Sequence, residues 1–225
     1  MKHSVLAVTL ALLFVLCGAA ADAQEQDGVT VGIKTWINDW THDVPGARSI
    51  RSDYAVLAGP SLRAKFADIF YGEATYLVPV SNYQFSDPTP AHIEREDGEF
   101  LLGVSIVPGF GIEAGYKDSR FKEQATGIKD SVYGPMLGFS GTGYLDPDIS
   151  FTLRLDYLFT DFRQEDALGV FQESSPGWLF DVGFRAALSP GFSGTLGYRY
   201  ETNKGSASGI RDSFSGAGLG VMISF

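Results

Sequence analysis

From Val29 to Phe225 apolar side chains recur at every second position, interrupted by polar stretches. Val29, Val31, Ile33 and Ile37 alternate with Thr30, Gly32, Lys34 and Asn38. Tyr54 to Phe66 and Ile69 to Val80 read as a strand and its return. Phe100, Leu102, Val104 and Ile106 run into Pro108-Gly109, and Phe110, Ile112, Ala114 and Tyr116 come back. Val132 to Tyr144 is followed by the cleanest stripe, Ile149, Phe151, Leu153, Leu155, Tyr157 and Phe159. Trp178, Phe180, Val182, Phe184, Ala186 and Leu188 descend to a turn, and Phe192, Leu196, Tyr198 and Tyr200 ascend. Ala217, Leu219, Val221, Ile223 and Phe225 close the chain, opposite Gly216, Gly218, Gly220, Met222 and Ser224. A period of two is the pleat of a β-strand with one apolar face.

The connections alternate in length. Tight turns are predicted at Ala67-Asp68, Pro108-Gly109, Asp146-Pro147-Asp148 and Ser189-Pro190-Gly191, and long polar loops over 42–53, 81–99, 118–131, 163–177 and 203–211. An up-and-down sheet places all odd connections at one end and all even ones at the other, whereas a soluble sandwich has no cause to sort them by length. No amphipathic helix pattern is present to cover so many apolar strand faces. The expected fold is all-β: a transmembrane antiparallel up-and-down β-barrel of about ten strands over residues 24–225. Pro60 and Pro135 fall inside predicted strands, where each removes a ladder donor and implies a bulge or a misplaced boundary, so eight strands also fit.

Composition agrees with that reading. The 225 residues include 27 Gly, 17 Phe and 10 Tyr, and 44% are hydrophobic. A mean hydropathy of +0.02 is far too low for a bundle of membrane helices but suits a barrel, in which alternate residues face lipid. Lys2, the apolar run Val5 to Leu16 and Ala21-Asp22-Ala23 form a secretory signal, expected to be cleaved after residue 23 following export through the Sec pathway. Leu16 is too large to precede a lipidated Cys17, and cleavage removes the only cysteine. Gln24 to Gly28 alone precede the first strand and nothing follows Phe225, so no plug, passenger or peptidoglycan-binding domain is expected.

A final strand carrying Leu219, Val221 and Ile223 and ending on Phe225 resembles the closing strand of bacterial outer-membrane barrels, the segment that their assembly machinery reads. The mature chain as a whole resembles the small stand-alone barrels, the opacity-protein and outer-membrane-protein-A-like class, in architecture and not by motif. That resemblance implies a monomer in the outer membrane of a Gram-negative bacterium. The implied partners are outer-membrane lipid, lipopolysaccharide, the barrel-assembly machinery and periplasmic chaperones.

Aromatic residues gather near strand ends, at Trp36, Trp40, Tyr54, Phe66, Phe70, Tyr116, Tyr157, Phe159, Trp178, Tyr198 and Tyr200, as in interfacial girdles. The faces opposite the apolar stripes carry Lys34, Arg63, Lys65, Glu73, Glu113, Lys117, Arg154, Asp156, Asp181, Arg185, Arg199 and Glu201. Both signs recur at same-face spacing. Two readings stay open: a plug of ion pairs that closes the lumen, or a narrow porin-like path lined by mixed charge. A surface-loop adhesin is a further reading.

Candidate chemistry is sparse. The mature chain has two histidines, His42 near Asp39 and Asp43, and His92 near Glu94 and Glu96. Either could pair with a carboxylate as a general base, and His42 with Asp39 is the better placed at the rim. Neither comes with a nucleophile or a second histidine at ligand spacing, so the chain is expected not to be an enzyme and to hold no metal or cofactor. Net charge is −10, with acidic stretches at Glu94, Glu96, Asp97 and Glu99 and at Glu165, Asp166 and Glu173, and no basic cluster for nucleic acid. Those acids are read as solvated loop residues, or as bridges to lipopolysaccharide through divalent cations.

Overall fold

The computed structural model describes residues 28–66, 69–86, 90–167 and 169–225; the expected signal segment and the turn expected at Ala67-Asp68 fall outside them. Ten long strands close into an antiparallel barrel. In chain order they are β1 (Gly28–Asp43), β3 (Ala55–Phe66), β4 (Phe70–Ser81), β6 (Ala91–Val107), β7 (Phe110–Glu123), β8 (Lys129–Asp146), β9 (Ile149–Leu158), β12 (Gly177–Ser189), β13 (Phe192–Lys204) and β14 (Arg211–Ser224). Four short strands lie between them: β2 (Ile50–Arg51), β5 (Tyr83–Phe85), β10 (Asp161–Asp166) and β11 (Gly169–Ser174). Closure runs through β1 and β14, paired from Thr30↔Ser224 to Asp43↔Arg211. A closed ladder leaves no unpaired backbone edge along the staves, which is what lets the outer face meet hydrocarbon.

That outer face is apolar and exposed. Val31, Ile33, Leu62, Phe100, Leu102, Ile112, Leu137, Phe184, Leu196, Leu219, Val221 and Ile223 all project outward. Tyr54, Phe66, Phe70, Tyr116, Phe159, Trp178, Tyr198 and Tyr200 are exposed among them, as girdle residues should be. Trp36 and Trp40 are corrections: both are buried inside the barrel. They share the inward face with Lys34 and Asn38, and aromatic character alone does not reveal the parity of a strand.

The predicted long loops are also corrected. His42 and Asp43 finish β1, and residues 91–99, 118–123 and 129–131 belong to β6, β7 and β8. Residues 163–177 hold most of a hairpin, β10 and β11, which extends the sheet edge at β8. Crossing a bilayer takes about 9–11 tilted residues, whereas β6 has 17 and β8 has 18. The excess rises beyond the lipid at the end bearing the long connections, the outer end in barrels of this kind. There the outward positions turn polar, as at Glu94, Glu96, Asp118 and Arg120, so the apolar stripe that marks a strand disappears from the sequence.

Both prolines stay inside strands. Pro60 faces an interruption in the β3–β4 ladder, which passes from Ala58↔Val78 to Ser61↔Thr75. Pro135 sits where β8 exchanges one neighbour for another, with Tyr133 paired to β10 and Met136 paired to β9. Its carbonyl still accepts from the Phe159 amide at 2.9 Å. In each case the missing N–H falls where no partner strand requires it.

Candidate functional site: the lumen and its outer mouth

Alternation carries every charged residue of the inner faces into the lumen, where strand pairing sets their heights. Small inward residues make the room. A Cβ on Gly103 would collide with the Tyr71 ring, and one on Gly138 with Asp156 and its backbone. Tyr71 thus lies across its glycine neighbour and reaches Glu113, donating from its hydroxyl at 3.0 Å.

The central lumen is a single ion-pair network. Arg154 holds Asp156 at 2.5 Å, Glu113 at 2.7 Å and Glu99 at 3.3 Å. Lys117 joins Glu99 and Glu201, each at 3.1 Å, and approaches Asp97 at 3.7 Å. Arg95 bonds Asp97 at 2.9 Å and Glu201 at 3.1 Å, and Arg199 pairs with Glu99. Arg95, Lys117 and Asp156 are 0% exposed and Glu201 1%. Buried charge of this density persists only because each group has a partner of opposite sign.

Nearer the inner end the packing loosens. Lys34 pairs with Glu73 at 2.5 Å, and these side chains are 32% and 21% exposed. Arg63 stacks over Tyr71 at 5.4 Å, Lys65 stands beside Tyr71 in register, and Arg185 donates to Ser193 and Ser224. Asp181 lies in register with both Arg154 and Arg199. All twelve charged positions singled out from the sequence therefore face the lumen. Eight of them join ion pairs described above, and Arg63, Lys65, Asp181 and Arg185 line the wall around them.

Sequence reasoning missed Arg95, Asp97 and Glu99, which it left in a solvated loop. The signal was present: Ile93, Arg95, Asp97, Glu99 and Leu101 continue one face of β6 at a period of two. A run of charges reads as loop unless the partners across the barrel are known.

Above the network sits an aromatic plug. Trp40 packs on Phe121 at 5.2 Å, Phe214 at 5.3 Å, Phe85 at 5.2 Å and Tyr83 at 5.7 Å. Leu57, Ala55, Leu77 and Val132 complete the cluster. Tyr83 donates to Asn38 beneath it.

His42 stands at the mouth, two residues beyond Trp40 on the same face of β1. Its carboxylate partner is Asp212 on β14, 2.7 Å from Nδ1, and the Trp40 indole N–H donates to the same oxygen at 2.7 Å. The expected pairing with Asp39 is corrected. An odd position turns Asp39 to the other face, where it binds Arg51 and accepts from Ser215 at 2.8 Å. The hydrogen bond to Asp212 raises the His42 pKa against the opposing effect of burial, with help from the charges of Asp212, Asp43 and Asp130. Asp130 on β8 is pushed up to about 6, first by burial and then by the nearby charges of Asp212 and Glu123, while Gln164 and His42 pull the other way. His92 is exposed on the outer face of β6. Leu219, Val221, Ile223 and Phe225 point outward along and just past β14, with Phe225 the most exposed at 82%.

A closed antiparallel barrel with an apolar belt outside and ion pairs within is an outer-membrane β-barrel protein. No protein-family model and no curated protein matches the chain by sequence. Solved structures do match by shape. The outer membrane protease OmpT of Escherichia coli superimposes with a TM-score of 0.61 at 11% identity, covering 88% of this chain and 97% of that one. The translocator domain of the autotransporter NalP from Neisseria meningitidis gives 0.49 at 15% identity over 99% and 98%. Neisserial surface protein A gives 0.46 at 12% identity over 88% and 97%. These likenesses concern the fold. The match to OmpT corrects one expectation: a protease is built on this architecture, so the chain is not excluded from catalysis.

Proposed function

We propose that this outer-membrane barrel is closed to solutes and works through its outer rim. The observation that carries the reading is the stacking of two dry layers. Arg95, Lys117, Asp97 and Glu201 are at most 2% exposed, and the Trp40 cluster sits directly above them. Moving a solute past both layers would strip buried charges of their partners, at a cost of about 3–5 kcal/mol for each broken pair. The rim, by contrast, is built up by strand ends, the β10–β11 hairpin and the His42–Asp212 pair. In planar bilayers the purified protein is expected to insert without discrete conductance steps, and regular steps from the unaltered chain would overturn the reading.

One observation favours the narrow porin-like path instead. The inner half of the lumen around Lys34 and Glu73 is partly open to solvent, so only the ion-pair network and the plug stand between it and the outer mouth. Trp40→Ala separates the two. A silent Trp40→Ala barrel supports closure by the network, and steps that appear only in the variant identify the plug as a gate.

A further inference from the structure

Trp40 of β1 and Phe121 of β7 touch across the barrel at 5.2 Å between ring centres. Phe121 is in register with Asp130 of β8, and His42 lies two residues beyond Trp40 on the same face of its strand. The contact therefore brings His42 and Asp130, from opposite walls, together above a dry aromatic floor. Their electrostatic interaction, and that of Asp130 with Asp212, reflects this proximity.

The hydrogen bonds fix the proton. Asp212 accepts from the Trp40 indole N–H and from His42 Nδ1, each at 2.7 Å. A neutral His42 held this way keeps its hydrogen on Nδ1 and leaves Nε2 as the basic nitrogen. The ring stands edge-on to Trp40, with planes at 88° and centroids 6.2 Å apart, which restricts its swing. A histidine oriented by a carboxylate, with a second carboxyl nearby that burial raises to about 6, is an acid–base pair of the kind that activates water.

We propose that His42 and Asp130 form a hydrolytic site at the outer mouth, with Asp212 as the positioning residue and an amide or ester carbonyl as the substrate group. This rests on the reading that the protein works at its rim. His42 Nε2 takes a proton from water as the water oxygen bonds to the carbonyl carbon, and the π electrons of the C=O pass to its oxygen. When they return, the bond from carbon to the amine nitrogen or alcohol oxygen breaks, and that leaving atom takes the proton from Asp130. One water is consumed, an acid and an amine or alcohol are released, and the proton on His42 returns to Asp130 through solvent. His42 faces Asp212 of β14, Asp43 of its own strand and Asp130 of β8; Asp130 faces Asp212, Glu123 of β7, His42 and Gln164 of β10. These groups set the working range. It is a bell, falling at low pH as His42 is protonated and at high pH as Asp130 ionises.

The test uses the purified full-length barrel in detergent, with p-nitrophenyl acyl esters in one arm and a quenched fluorogenic peptide library in the other. Turnover in either arm is expected, and the arm that responds distinguishes ester from amide. His42→Ala should lower kcat/KM by about 100-fold or more, and His92→Ala should leave it unchanged. Asp212→Asn should lower kcat while KM holds, and Asp130→Asn should remove the high-pH limb of the bell. Heat-modifiable migration checks that each variant is folded. No turnover in either arm, or a folded His42→Ala barrel as active as the unaltered one, overturns the proposal. Conductance recorded on the same preparation tells the two readings apart, since a silent, inactive barrel sinks only this one.

Discussion

The guanidinium of Arg95 lies 3.8 Å from the centre of the Phe214 ring. It ties the two layers of the lumen together, with the aromatic plug on one side and Asp97 and Glu201 on the other. A cation desolvated in this way is held both by carboxylates and by ring faces, Trp36 and Phe121 among them. Arg is the residue suited to the position, because its planar fork hydrogen-bonds carboxylates while its face stacks.

Replacing Arg95 with Met therefore leaves two buried carboxylates short of a partner. The expected loss of stability is about 3–5 kcal/mol, read as a lower urea midpoint for unfolding in detergent. Arg95→Lys should recover part of it, since charge is restored without the fork or the stacking.

Tyr71 and Gly103 are expected to behave as a pair. Gly103→Ala forces the Tyr71 ring aside and away from Glu113 and Ser140, costing about 1–3 kcal/mol. In a Tyr71→Ala background the same alanine meets no ring and should cost much less. A double-mutant cycle on folding stability measures the coupling, and simple additivity would contradict the packing described.

The outer stripe gives a third expectation. Val221 projects from the middle of the apolar belt, so Val221→Arg should destabilise the barrel in lipid by about 2–4 kcal/mol. Ser206→Arg, on an exposed connection between β13 and β14, should stay within about 0.5 kcal/mol. Equal effects of the two in refolding assays would deny that lipid contacts this face.

The mouth predicts a pH dependence with a definite sign. His42 is raised from 6.5, so its contribution is complete below that value and fades as pH climbs through the folded pKa. Asp130, raised from 3.8 to about 6, loses its contribution as pH rises between those values. Both act in the same direction, so stability attributable to the mouth declines from about pH 4 to above pH 6.5. Denaturation midpoints of a His42→Gln/Asp130→Asn double variant should show a flatter profile across this window than those of the unaltered protein.

Much of the barrel is legible in the sequence because lipid imposes a strict rule on the strands that cross it. Ile149 to Phe159 must alternate, since one face meets hydrocarbon and the other meets charge. Arg154 and Asp156 are assigned to the interior by parity alone. The rule lapses where lipid ends, and β6 shows this best. Phe100 to Ile106 is recognisable as strand, whereas the Arg95 to Glu99 stretch resembles a loop though its backbone continues the same ladder.

The chain's own order of residues determined that it would form a membrane-crossing sheet, where the tight turns at Pro108-Gly109, Asp146-Pro147-Asp148 and Ser189-Pro190-Gly191 lie and which charges of the lipid-crossing segments face inward, because all three follow from a two-residue period. Only the closed tertiary structure decided which charges meet. The partner of His42 is 170 residues away, and that of Arg95 in Glu201 is 106. Such distances are set by how ten strands close and stagger, a property of the whole ring that no single strand encodes.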